Sequence, residues 1–113
     1  MPGHMTHEEF VAAAASKVCI VATNILDERT PVLDGAQELF VLLPQTGISN
    51  EDPLYRDFVL IHSETEHLPI GHQANTWAPG ALARIQPELA SAEAWAKPIA
   101  FKACKSLLVR FGV

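Results

Sequence analysis

The stretch THEEFVAAAASKVCIVATNILDE, Thr6 to Glu28, decides the fold class. Apolar residues recur at positions 10, 11, 14, 18, 21, 22, 25 and 26, while Glu9, Ser16, Lys17, Thr23, Asn24, Asp27 and Glu28 fill the opposite side. That is the 3.6-residue period of an amphipathic helix. A strand over 18–22 needs polar residues at alternate places, and none stands there. Thr6 with Glu9 three residues on spells a capping box, in which each side chain satisfies the other's backbone N–H. The segment is apolar, yet Ser16, Lys17, Thr23 and Asn24 interrupt it, and Glu8 and Glu9 rather than bases precede it. It therefore predicts neither a signal peptide nor a membrane span.

Outward from this segment the start and stop signals repeat. Thr30-Pro31 places a capping hydroxyl before a proline suited to the first helical position, which predicts a helix to about Leu43 with Leu33, Ala36, Leu39, Phe40 and Leu43 inward. Pro44 ends it. After a loop over 45–51, Asp52-Pro53 opens a third helix to about Glu66, with Leu54, Tyr55, Phe58, Ile61 and His62 on one face. Residues 67–75, with Pro69 and Gly71, read as a connection. Thr76 is expected to cap a short helix near 77–86, and 88–111 forms a last helix with the stripe Phe101, Cys104, Leu108 and Phe111, kinked or broken at Pro98. The fold predicted is all-α, a compact bundle of about five helices. The alternative is an α+β domain with strands at 18–22 and 58–62.

A chain of 113 residues is one domain, assigned to 5–113, with Met1-Pro2-Gly3-His4 read as an expression remnant. Hydrophobic residues at 49% and charged residues at 19% exclude a disordered chain. The net charge of -5 argues against nucleic acid as a partner. Residues 1–66 hold eleven acids and three bases, whereas 67–113 hold two acids and five bases, so the basic part is expected to pack on the acidic part or to face an anionic partner. Cys19 and Cys104, without metal-ligand spacing, read as buried free thiols of a reducing, cytoplasmic compartment.

The densest polar cluster is His62-Ser63-Glu64-Thr65-Glu66-His67, followed by His72. Glu64 and His67 have the spacing that puts a carboxylate and an imidazole on one helical face, and His62 and Glu66 lie one turn apart. A di-metal carboxylate bundle needs two Glu-x-x-His motifs, and one is present, so no metal or other cofactor is predicted. A single metal held by His62, Glu66 and His72 is the conceivable exception, against local capping and pairing at a helix end. No phosphate loop, dinucleotide fingerprint or nucleophile elbow occurs. Cys104, in an apolar stripe, reads as inert core.

The string from Ser63 to Gly71, with Asp34-Gly35-Ala36 upstream, Trp77-Ala78 downstream and Cys104 late in the chain, resembles a group of small bacterial helical proteins of the hypothetical and mobile-gene-cassette kind. These carry a Glu-Thr-Asp, Leu-Pro, Gly, then Trp pattern. The chain departs from it at Glu66, where Asp is the rule, and at His67. The resemblance implies a helical fold over about residues 8–111 and no particular activity.

The resulting expectation is a cytoplasmic, non-enzymatic binding module. The alternative is a metal-dependent or small-molecule-handling helical enzyme using the 62–72 cluster. Trp77 is expected to pack the Pro69–Gly71 turn against the bundle, or, if exposed, to touch a ligand. Ile20, Val41 and Leu60 each stand alone on an otherwise polar face, which predicts a homodimer through a surface including all three.

Overall fold

The computed structural model describes residues 5–112, so the tetrapeptide read as a remnant lies outside the described residues. Four α-helices carry the fold: α1 (His7–Leu26), α2 (Val32–Leu42), α3 (Pro53–Thr65) and α4 (Pro79–Phe111). Short 3-10 segments occupy Leu43–Thr46 and Gly71–Thr76. Among the described residues there is no strand, so the all-α bundle stands and 18–22 and 58–62 are helical.

Local chemistry sets most of the boundaries. The Thr6 hydroxyl accepts from the Glu9 N–H while the Glu9 carboxylate accepts from the Thr6 N–H, closing the capping box. Asp52 caps α3 by accepting from the Leu54 N–H, with Pro53 at the first helical position. Pro44, lacking an N–H, ends the α-helical ladder of α2, and the chain tightens into the 3-10 turn before Gly47 takes a left-handed conformation at φ 82°. α1 ends with Glu28 in the same region at φ 59°.

The N-terminus of α2 is held differently from the expectation. Thr30 makes no side-chain cap, and the carboxylate of Glu93 on α4 accepts from the N–H groups of Val32 at 2.5 Å and Leu33 at 3.2 Å. One acid thus satisfies two of the donors that every helix start leaves open.

The other departure lies in the last third. Thr76 caps nothing, because its hydroxyl donates to the Gln73 carbonyl inside the 3-10 turn. The two segments expected at 77–86 and 88–111 are one 33-residue helix, which runs through Pro87 and Pro98. Ile85, Leu89, Ala92, Ala96, Ile99, Ala103 and Leu107 recur at steps of three and four and pack on one core across both prolines. The prolines stand eleven residues apart, three turns, and both face solvent. Each costs about 3 kcal/mol in a helix interior, and the shared buried stripe offsets it.

The core joins Val18, Val21, Ala22 and Ile25 of α1 to Leu33, Ala36 and Leu39 of α2, Phe58 and Ile61 of α3, and Ala96, Ala100, Ala103, Cys104 and Leu107 of α4. On α4 the fully buried positions are Ala96, Ala100, Ala103, Cys104 and Leu107, while Phe101, Leu108 and Phe111 are half-buried against the core edge. α1 is long and apolar enough to cross a bilayer by length and composition, and here its stripe of Ala14, Val18, Val21, Ala22 and Ile25 is the middle of the bundle. The molecule measures 51 × 33 × 26 Å. At 1.5 Å per residue α4 alone is about 50 Å long, which sets the long dimension.

The basic C-terminal part does pack on the acidic part. Lys97 pairs with Glu28 at 3.0 Å, and Arg110 with Asp52 at 2.5 Å. The Arg110 guanidinium, with the Leu54 N–H, holds the Asp52 carboxyl below its ordinary 3.8. A depressed carboxylate stabilises the fold above its unfolded value and loses that contribution as pH falls through the folded value. Asp52→Asn should therefore lower the melting temperature at pH 7, with the gap to the native chain closing as the pH falls below the ordinary carboxylate value and through the lowered one. A gap that is constant with pH in thermal melts contradicts this.

Candidate functional site

The 62–72 cluster, adjacent in sequence, is divided in space. His62 lies flat on Phe40, with ring centroids 4.0 Å apart and an interplanar angle of 7°, and Phe40 in turn stacks on Tyr55. The imidazole is thus part of the α2–α3 packing. Its Nε2 comes within 3.9 Å of Glu66, and both residues line a cavity of about 30 Å³ with Gln37, Thr65 and Gln73. That volume suits a water molecule or two, not a substrate.

Glu64 and His67 point elsewhere, into an open groove against α4 lined also by Glu88, Ser91 and Trp95. There His67 contacts Glu88 at 2.5 Å, with both side chains about half-exposed. A pair so open to water contributes little stability. His72 lies on a third surface, between α1 and α2. Among the described residues no three His, Cys, Asp or Glu side chains gather closely enough to hold a metal ion, so His62, Glu66 and His72 do not form a ligand set. The division follows from the end of α3 at Thr65, after which the chain turns through buried Leu68, Pro69 and Ile70 and helical spacing no longer governs where side chains go.

Trp77 does not open a helix. It is half-buried in extended conformation between the 3-10 turn and α4. Cys104 is fully buried, and burial pushes its thiol up to about 12, which leaves no thiolate for nucleophilic chemistry near neutral pH. Cys19 and Cys104 are both free thiols, and Cys19 is half-buried where full burial was expected.

The feature that stands out is the α1–α2 groove, about 590 Å³, with a floor of Val21, Leu42 and Ile70. Ile20 on one wall is 60% exposed and Val41 on the other is 58% exposed. Lys17, Gln37, Glu38, His72 and Gln73 form the rim. Leu60 is also exposed, at 44%, but does not line this groove. The sequence signal for the site was the isolated apolar residue on each polar face. That the two faces adjoin follows from the hairpin of α1 and α2. No protein-family model, curated protein or solved structure matches the chain.

Proposed function

We propose that this chain is a cytoplasmic, non-enzymatic interaction module that works through the α1–α2 groove, and that its partner there is a second copy of itself. The observation that carries the reading is the pairing of Ile20 and Val41, two large and mostly exposed apolar side chains, across one apolar-floored groove. Single exposed apolar residues are ordinary on protein surfaces, and a contiguous apolar patch is the mark of a contact site. The dispersed polar cluster and the protonated, buried Cys104 give the reading its non-enzymatic character.

Light scattering on a gel-filtered sample tests it. At tens of micromolar the native protein is expected at twice 12.3 kDa, and Ile20→Glu or Val41→Glu at the monomer mass with an unchanged helical circular dichroism spectrum. A native protein that stays at 12.3 kDa overturns the reading.

A further inference from the structure

We infer that the two copies pair about a two-fold axis running along the line from Ile20 to Val41, so that Lys17 of each copy meets Glu38 of the partner subunit. This rests on the self-association proposed above and adds its geometry. The connection between α1 and α2 is only residues 27–31, and the 3-10 turn that follows α2 returns along α1, so the two helices form an antiparallel hairpin. Ile20 stands six residues before the end of α1 and Glu38 six residues after the start of α2, which puts both about 9 Å from the bend. Lys17 and Val41 are each nine residues from it, about 13.5 Å away. The four side chains therefore mark the corners of the groove, with the apolar pair on one diagonal and the opposite charges on the other.

A symmetric face-to-face dimer has its axis in the plane of contact, and the corners restrict which axis works. An axis along the helices, or straight across them, sets each charge against an apolar side chain of the partner and desolvates it without compensation. An axis along the charged diagonal stacks Lys17 on Lys17 and Glu38 on Glu38. The apolar diagonal suits the four side chains best: Ile20 and Val41 each lie against their own copies, and Lys17 comes within side-chain reach of Glu38 of the partner subunit twice. Among the described residues neither Lys17 nor Glu38 joins an ion pair within the protomer, so both charges are free for a partner. The bases of the C-terminal part that do form ion pairs, Lys97 and Arg110, pair within the chain and do not serve this interface.

Charge reversal with mixing decides it. Lys17→Glu alone and Glu38→Lys alone each place like charges together twice, and each is expected to weaken the dimer about tenfold or more, measured by sedimentation equilibrium. An equimolar mixture of the two variants restores both ion pairs and should dimerise near the native affinity, as should the double variant. Both side chains lie at the rim of the groove, and circular dichroism checks that the fold persists. A native dimer whose single variants associate as tightly as before, or whose mixture shows no rescue, removes this axis while leaving self-association intact. A native monomer removes both.

Discussion

Gly35→Ala is expected to destabilise the protein by about 1 to 3 kcal/mol, the cost of overpacking a filled core. In an exposed helix interior the same exchange stabilises by about 0.5 to 1 kcal/mol, so the sign itself is informative. A Cβ on Gly35 meets the Ile25 side chain, at 2.5 Å from Cγ1 and 2.6 Å from Cδ1. Ile25 has no exposed surface, and its β-branched stem holds one χ1 rotamer in a helix, so it has little room to yield. The close approach of α1 and α2 that creates the groove depends on this missing side chain. A double variant with Ile25→Ala should lose less than the sum of the two single losses, because each change accommodates the other. Urea denaturation measures all three, and a stabilised Gly35→Ala protein contradicts the hairpin packing.

Glu93→Ala is expected to cost about 2 kcal/mol, or roughly 10 °C in melting temperature for a domain of this size. It removes the acceptor of both the Val32 and Leu33 N–H groups, and both residues are buried. Glu93→Gln, which keeps one carbonyl oxygen, should lose about half as much. Equal melting temperatures for the native chain and Glu93→Ala would mean that the carboxylate does not carry the start of α2. The same carboxylate raises Asp34: burial pushes that carboxyl above its ordinary value first, and the charge of Glu93 adds to it.

These two positions show where sequence reasoning reaches its end. The Thr6–Glu9 capping box and the Asp52-Pro53 start were legible because both partners lie within one turn, so local chemistry fixes them. The Glu93 cap joins residues about sixty positions apart, and no local pattern announces it. The intrinsic cost of Pro98 marks it as a place for a kink or a break; the helix is not broken there or at Pro87, and one stripe, from Ile85 to Leu107, packs against the core on both sides of each proline. The His and Glu residues of 62–72 were grouped by proximity along the chain, and α3 stops in their midst, sending His62, His67 and His72 to three different surfaces. Ile20 and Val41 were legible one at a time as apolar residues among polar ones. Their meeting in one groove needed the antiparallel hairpin, and Leu60, which carries the same local signal on α3, falls outside it.

An NMR sample mixing isotope-labelled and unlabelled copies, read for nuclear Overhauser effects between labelled methyl groups and unlabelled protons, tests pairing through the α1–α2 groove most directly. Cross-peaks are expected from the methyl groups of Ile20 and Val41 to protons of the partner subunit, with none from the still more exposed Val109, which is 85% accessible on α4. A sample at tens of micromolar or above that shows no intermolecular cross-peak, or shows them from Val109 or Leu60 and not from Ile20, contradicts the account.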